Sequence, residues 1–239
     1  MAVIFETAQY AHVLRMLNSM SARDKSFRTL QFVAKLLAWR LYYNGSSLES
    51  VNKWDTLESQ ISFARKLFSI GKVFDYLSKS YFGSLQIQNP LSSSEAALPS
   101  IQLTRDIAFT GYSAMELVGW LQKARLIDCP KSKRVSTLSK QFLAAALLSS
   151  CFAGVYNYQK ISEQLKSIQA SESGKTKNEA SIESLIREKN EIVYFAIQNA
   201  LDAVIPLAEL DVLKLDDGFV AMTGITTSIM GLYKTWSSN

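Results

Sequence analysis

The pattern of apolar positions along the chain is helical almost throughout. No stretch of strict apolar–polar alternation is longer than a few residues, so a sheet is not predicted. Apolar residues recur at spacings of three and four over 5–19, 22–43 and 101–128, which predicts a helix in each segment. The clearest pattern is FARKLFSIGKVFDYLSKSY, residues 63–81. The predicted fold class is therefore all-α.

The helix that contains this pattern is predicted to begin near Asp55 or Thr56 and to end at Gly83. Gly71 interrupts it, at a cost of about 1 kcal/mol relative to alanine. Its apolar positions form one continuous stripe, namely Phe63, Leu67, Ile70, Phe74, Leu77 and Tyr81. Basic residues lie on or near the opposite face, namely Arg65, Lys66, Lys72 and Lys79. Such a helix can pack on the core of a soluble bundle, or it can lie on a membrane with its basic side at the lipid headgroups.

Turn-forming residues mark the ends of several helices. Asn44-Gly45 is a favourable C-cap for the helix over 22–43. Residues 84–100 contain two prolines and a run of serines, which predicts a linker. Gly111 is a candidate break within the helical segment 101–128.

Two long runs without any charged residue are unusual for a soluble protein. They cover 141–159 and 218–233, which are 19 and 16 residues. The first is close to the roughly 20 residues that a membrane-spanning helix needs, and the second is short. Both carry small residues at helix-packing spacing: Ala146, Ser150 and Gly154 in the first, and Ala221, Gly224, Ser228 and Gly231 in the second. A buried helix of a large soluble bundle is the alternative for both runs.

A third apolar segment, 192–210, has a stripe of polar residues and contains Pro206. We interpret it as an amphipathic helix that packs on protein, and not as a span. A loop predicted over 129–137 carries most of the positive charges that precede the first run: Lys131, Lys133, Arg134 and Lys140. The positive-inside rule places these residues in the cytosol. If both runs span, both termini are cytosolic and residues 160–217 lie in the lumen.

The charge distribution favours an anionic partner for the first part of the chain. The protein has 239 residues and a net charge of +5. Residues 1–140 hold 18 Lys and Arg against 10 Asp and Glu, whereas the remainder holds 8 against 11. A basic half suits nucleic acid or an anionic lipid surface. No nucleic-acid-binding motif is present, and the basic residues lie on helices with apolar stripes, so the lipid surface is favoured.

The sequence gives little support to an enzyme. It has no nucleophile–base pair, no glycine-rich phosphate loop and no spacing typical of metal ligands. We therefore expect no catalytic residues, no cofactor and no metal. The single histidine, His12, and the two cysteines, Cys129 and Cys151, have no assigned role.

Three segments together resemble the peroxin-11 family of peroxisomal membrane proteins, in its fungal form. They are RDKSFRTLQFVAKLLAWRL (23–41), RKLFSIGKVFDYLSKSYF (65–82) and DDGFVAMTGITTSIMGLYKTW (216–236). Their order and spacing fit the full length of such a protein, although the match over 84–190 is weak. None of the three is a catalytic signature, so the resemblance rests on their combination.

The resemblance implies a non-enzymatic protein of the peroxisomal membrane that promotes elongation and fission of the organelle. In the family, the amphipathic helix that corresponds to residues 57–82 inserts into one leaflet and bends it. The resemblance also implies self-association and contact with the fission machinery, including a dynamin-related GTPase and its adaptor. An oligomeric channel for small metabolites is the alternative function.

The predicted architecture is a membrane-associated helical bundle with amphipathic helices and one or two membrane-spanning helices. We expect a cytosolic, membrane-remodelling region over 1–83 and a linker with a helical segment over 84–137. A membrane-embedded region follows over 138–236, with its lumenal segment at about 160–217. The helix over 23–43 is apolar on nearly every side, which favours a place in the bundle or at a self-association surface over a second membrane wedge.

Overall fold

The computed structural model describes residues 10–11, 13–15, 18–68, 70–87, 93–171 and 179–237. Every regular element within these residues is helical, which confirms the all-α fold class. Most of the predicted helix over 5–19, including His12, lies outside the described residues. Seven long helices follow in order: α1 (Met20–Tyr43), α2 (Leu48–Phe68), α3 (Ile70–Ile87), α4 (Ser93–Lys123), α5 (Ser132–Ser171), α6 (Glu179–Glu209) and α7 (Asp217–Ser237).

The helices pack mainly as a series of neighbours. Going through the bundle, α3 packs on α4, α4 on α5, α5 on α6 and α6 on α7. The last helix, α7, then packs along α1, which also carries α2 on another side. The beginning and the end of the described chain are therefore joined in one bundle.

The turn between α1 and α2 has the geometry that Asn44-Gly45 predicts. Gly45 has a φ of +69°, in the left-handed region that favours glycine. The Gly45 N–H donates to the Tyr42 carbonyl at 3.1 Å, and the Ser46 N–H donates to the Leu41 carbonyl at 3.0 Å. These bonds close the end of α1 and reverse the chain, so that α2 runs back along α1.

The single helix predicted from about residue 55 to Gly83 is wrong in its extent. The structure has two helices there, α2 from Leu48 and α3 as far as Ile87, on either side of residue 69, which lies outside the described residues. Because α2 packs along α1 and α3 packs along α4, the division marks a change of partner. Gly83 does not end the helix. A Cβ there would lie 3.5 Å from Leu103, so the glycine is a point of contact between α3 and α4.

Three further predictions of helix ends or breaks differ from the structure. Residues 93–100, predicted as linker, form the first turns of α4, and Pro99 lies inside them. Gly111 does not break α4. Its position is set by the ring of Phe142 in α5, which lies 2.9 Å from where a Cβ would stand. Most of the predicted loop 129–137 is helical because α5 begins at Ser132.

Two described helices are long and apolar enough to cross a membrane, Ser132–Ile168 and Ser181–Glu209. The first contains the predicted run 141–159. The second includes most of the segment 192–210, which was predicted to be an amphipathic helix that packs on protein and not a span, whereas 218–233 does not qualify. The length and composition of α6 make it a candidate span, and the contacts of its polar residues agree with packing on protein. Gln198 is buried and bonded to the Thr227 carbonyl, and Asp202 pairs with Arg28, so both face protein.

Candidate membrane interface

Helix α3 presents an exposed apolar stripe to its surroundings. Phe74, Leu77 and Tyr81 are 68%, 53% and 62% exposed, at spacings of three and four residues that place them on one face. Leu85 near the end of α3 continues this spacing and is exposed, and Leu67 at the end of α2 is also exposed. We call these five residues the α3 stripe. An exposed row of large apolar side chains of this kind marks a contact surface.

The opposite side of α3 is held by α4. The rings of Tyr76 and Phe109 are stacked with their centroids 4.8 Å apart. The hydroxyls of Ser80 and Thr110 are 3.2 Å apart, within hydrogen-bond distance. These contacts fix the rotation of α3 about its axis, and the α3 stripe consequently points away from α4.

The six predicted membrane-inserting residues do not share one environment. Phe63 faces the protein, where its ring stacks on Trp120 with a centroid distance of 5.8 Å. Ile70 is half-buried. The other four members, Leu67, Phe74, Leu77 and Tyr81, are exposed and belong to the α3 stripe. The outward-facing surface is therefore centred on α3, and Phe63 of α2 does not contribute to it.

Three of the four predicted headgroup-binding residues make ion pairs within the protein. The Asp24 carboxylate accepts from Arg65 Nε at 3.0 Å and from Lys72 Nζ at 3.1 Å. Lys66 Nζ lies 3.1 Å from a Glu116 oxygen. The fourth, Lys79, is exposed, with its Nζ over the Tyr76 ring at 5.4 Å from the ring centroid. Lipid contact by Arg65, Lys66 or Lys72 would require these ion pairs to open, and their headgroup role stays a prediction.

Asp24 connects α1 to the helices on both sides of residue 69. Burial alone would raise the pKa of its carboxyl group. The positive charges of Arg65 and Lys72, with the hydrogen bonds that they donate, outweigh burial and hold this pKa below 3.8. A lowered carboxyl pKa stabilises the fold above the unfolded-state value of about 3.9, and this contribution is lost as the pH falls through the folded-state value.

We therefore expect Asp24→Asn to lower the free energy of unfolding by about 2 kcal/mol at neutral pH, since hydrogen bonds to charged groups contribute about 1.5–3 kcal/mol. The difference from wild type should shrink as the pH falls from about 4 through the lower folded-state pKa, because Asp24 is protonated first in the unfolded state and then in the folded state. Chemical unfolding in detergent micelles, followed by circular dichroism at several pH values, measures the loss of stability and its dependence on pH. A difference that is the same at pH 7 and pH 3 would contradict the assignment.

The small residues of α7 lie against α1. Ala221 and Ser228 are fully buried. The ring of Phe32 lies where a side chain on Gly224 would begin, and Cβ atoms on Gly218 and Gly231 would overlap side chains of α1 in the same way. The absence of side chains at these glycines lets the two helices approach closely. The neighbour of this stripe is thus α1, which carries several charged residues, and not another apolar run.

The small residues of α5 lie on its protein-facing side. Ala146 is fully buried, and its carbonyl accepts a hydrogen bond from Ser150 Oγ at 2.8 Å. A Cβ on Gly154 would stand 3.3 Å from the Cβ of Ala196 in α6. Gly154 therefore marks a close approach between the two candidate spans, α5 and α6.

A polar chamber lies between the helices, and the sequence analysis did not find it. Its volume is about 810 Å³, and all seven helices contribute to its lining. The charged lining residues are Asp24, Lys25, Arg28, Arg65, Lys66, Lys72, Glu116, Lys140, Asp202, Glu209 and Lys234. The only local signal was the group Asp24, Lys25 and Arg28 within an otherwise largely apolar helix. Their partners are far away in sequence, so the pattern of one helix could not reveal an enclosed site.

The described residues contain no group of three or more His, Cys, Asp or Glu that could hold a metal ion. Ion pairs between helices line the chamber instead. Arg28 Nη2 lies 2.5 Å from Asp202 Oδ1, and Lys140 Nζ lies 3.4 Å from Glu209 Oε2. Lys234 pairs with Glu191, which is outside the lining.

Comparison with known proteins identifies the family. A sequence model described as Peroxisomal biogenesis factor 11 matches residues 10–236 and so runs through all seven helices. The chain belongs to the peroxisomal biogenesis factor 11 family. This confirms the resemblance to peroxin-11 proteins and gives the chain a role in peroxisome biogenesis. No solved structure matches the chain significantly.

The relatives cover nearly the whole chain. Peroxisomal biogenesis factor 11 of Schizosaccharomyces pombe is 62% identical over 236 residues, which are 99% of this chain and 98% of the relative. Peroxisomal membrane protein PMP30B of Candida boidinii is 22% identical over 95% of this chain and 93% of its own. Human Peroxisomal membrane protein 11A is 22% identical over 91% of this chain and 93% of its own. The names of the last two support a location in the peroxisomal membrane.

Proposed function

We propose that this peroxisomal biogenesis factor 11 protein is a non-enzymatic membrane protein that bends and elongates the peroxisomal membrane by inserting the α3 stripe into one leaflet. The exposed row of Phe74, Leu77 and Tyr81 carries this proposal. A helix that sinks one face into the headgroup and acyl boundary expands that leaflet relative to the other. Many such helices on one surface favour high curvature, as elongation and fission require.

The expected insertion energy is moderate. Full burial of a large apolar side chain contributes about 1.5–3 kcal/mol, so side chains that are already partly covered contribute about 1 kcal/mol each. The five residues of the α3 stripe would then contribute about 5 kcal/mol before entropy costs. Insertion of this strength is reversible. Anchoring elsewhere in the chain would raise the local concentration of α3 at the membrane and make it effective.

Helices α5 and α6 are the proposed anchors. With the basic residues before α5 in the cytosol, α5 crosses into the lumen and α6 returns, which leaves both termini cytosolic. The lumenal segment, predicted as 160–217, then shortens to about 160–191, which includes the charged end of α5 and the charged beginning of α6. This topology requires α7 to leave α6 on insertion, because Tyr194 and Glu191 of α6 contact Met230 and Lys234 of α7 in the folded bundle.

The resemblance supports self-association and contact with the fission machinery, a dynamin-related GTPase and its adaptor. Anionic lipid is the proposed surface for α3, whereas nucleic acid is not a proposed partner. An oligomeric metabolite channel is the second candidate function, and the polar chamber favours it. Conductance of the purified protein in planar bilayers would test that candidate separately.

The variant Phe74→Ser, Leu77→Ser, Tyr81→Ser tests the insertion. We expect about 100-fold weaker partition to anionic vesicles, since three contributions of about 1 kcal/mol are lost. Tubules should also be absent from electron micrographs of these vesicles. A peptide covering residues 55–87, with and without vesicles, measures partition apart from the anchors, and the full chain reconstituted in vesicles measures tubulation.

A matched control removes the same number of exposed apolar side chains elsewhere, by Tyr42→Ser, Tyr43→Ser, Leu48→Ser. These residues are 69–78% exposed at the turn between α1 and α2. We expect this variant of the full chain to remodel vesicles as wild type does. A second comparison is Phe63→Ala in the full chain, which should reduce stability but not tubulation, because Phe63 packs on Trp120. Normal tubulation by the folded triple variant would refute the proposal.

A further inference from the structure

The charged residues of the polar chamber do not balance. Seven basic side chains and four acidic ones line it. Lys234 is neutralised from outside the lining by Glu191. Six basic residues then face four acidic ones, an excess of two positive charges. An excess of buried charge is costly unless a counter-charge is present.

The excess is concentrated around Lys25. Asp24 is shared between Arg65 and Lys72, and Asp202 is engaged by Arg28 at 2.5 Å. Within the described residues, no carboxylate lies within ion-pair distance of Lys25, although Asp24 and Asp202 are both near. Burial, together with the positive charges of Arg28 and Lys72, lowers the pKa of Lys25 from 10.5 to about 8, although Asp202 and Asp24 act in the opposite direction. Lys25 therefore has unused hydrogen-bond donors in a cationic surrounding.

The packing around Lys25 keeps its side chain in this place. Gly231 of α7 lies against the Lys25 stem, and a Cβ at this glycine would stand 2.9 Å from the Lys25 Cδ and Cε atoms. Arg28 and Asp202, at the deep end, are only 14% and 12% exposed. Lys72, Lys140 and Lys234 are 33–42% exposed and form a more open rim. A ligand can therefore pass the basic side chains of the rim and reach Lys25 and Arg28 deeper in the chamber.

We propose that the polar chamber binds a phosphate group, held by Lys25 with Lys72 and Arg28 as neighbouring donors. A phosphate dianion supplies the two negative charges that the lining lacks. It also supplies several acceptor oxygens for the donors of Lys25, and bonds of this charge-assisted type are short and strong. The phosphate can belong to a lipid headgroup or to a free small molecule, because both present the same chemistry. This site is separate from the α3 stripe and does not depend on membrane insertion.

The first test uses the full chain in neutral detergent micelles at constant ionic strength. Inorganic phosphate should raise the melting temperature and give a binding isotherm by calorimetry, whereas chloride should not. Lys25→Met should weaken phosphate binding at least about tenfold, the expected loss for one charge-assisted hydrogen bond. Lys25→Arg should retain binding. Lys53→Met is the matched control, because Lys53 is 70% exposed and outside the chamber.

The Lys25→Met variant separates loss of binding from loss of fold. Since it removes a poorly solvated charge, its melting temperature without phosphate should be at least that of wild type. In wild type, phosphate binding should weaken as the pH rises above about 8, where Lys25 loses its proton. The charged groups that surround it are Asp24 and Arg28 on α1, Lys72 on α3 and Asp202 on α6.

A second experiment identifies the source of the phosphate. It measures binding of dioctanoyl phosphatidic acid and of dioctanoyl phosphatidylcholine to the same protein. Competition between phosphatidic acid and inorganic phosphate would assign the site to the phosphate group itself. Binding of phosphatidic acid alone would assign it to a lipid headgroup, and binding of inorganic phosphate alone to a free anion. Equal phosphate binding by wild type and Lys25→Met would overturn the proposal. Failure of both ligands to bind wild type would do the same.

Discussion

Replacing Arg28 by methionine is expected to lower the free energy of unfolding by about 3–5 kcal/mol, the usual cost of removing one partner of a buried ion pair. The Arg28 guanidinium lies 2.5 Å from the Asp202 carboxylate, and both side chains are less than 15% exposed. The substitution would leave Asp202 without this partner in the interior of the bundle. Chemical unfolding in detergent micelles, followed by circular dichroism, measures the loss.

Two further variants separate the ion pair from general effects of losing a charge. The double variant Arg28→Met, Asp202→Leu should recover most of the stability, because a well-packed apolar pair can replace a buried ion pair. Lys53→Met is the exposed control. Lys53 pairs with Glu49, and their side chains are 70% and 80% exposed, so less than about 1 kcal/mol should be lost. A double variant that is no more stable than Arg28→Met would contradict this account.

Gly224→Ala is expected to destabilise the protein by about 2 kcal/mol. The ring of Phe32 occupies the space that the new Cβ requires, and Phe32 is itself buried against Ile205 and Val220. Overpacking of this type costs about 1–3 kcal/mol, and the clash with a confined ring places it at the upper end. The higher helix propensity of alanine offsets about 1 kcal/mol. Thermal unfolding in micelles measures the net loss.

The same substitution at Gly119 of α4 is the matched control. A Cβ at Gly119 would have no atom within 4 Å, so Gly119→Ala should gain up to about 1 kcal/mol from helix propensity alone. The two variants, which differ only in position, are thus expected to shift stability in opposite directions. Equal effects at Gly119 and Gly224 would mean that the close contact between α1 and α7 is absent.

The features that depend on neighbouring residues were predictable from the sequence. The cap at Asn44-Gly45 needs only a glycine with a positive φ at the end of a helix, and it was predicted correctly. Helical spacing of the apolar residues likewise gave the all-α class. Four of the five residues of the α3 stripe were also predicted, because they follow the helical spacing of three and four.

The features that depend on the partner of each helix were not predictable. Spacing placed Phe63 and Phe74 on one stripe, yet Phe63 packs on Trp120 whereas Phe74 is 68% exposed. A polar residue on an apolar helix can face water or protein, and the sequence of 192–210 alone does not identify its partner. Asp202 there is satisfied by Arg28, which is 174 residues away in the chain. The chamber arises from several such distant pairs.

The contact between α1 and α7 has a consequence for synthesis in the cell. A chain leaves the ribosome from its N-terminus, and its segments begin to fold in that order. Phe32 is therefore made long before Gly224, the residue against which its ring packs. Until the last helix has emerged, the apolar side of α1 lacks its partner. We therefore expect the contact between α1 and α7 to form only after α7 has left the ribosome.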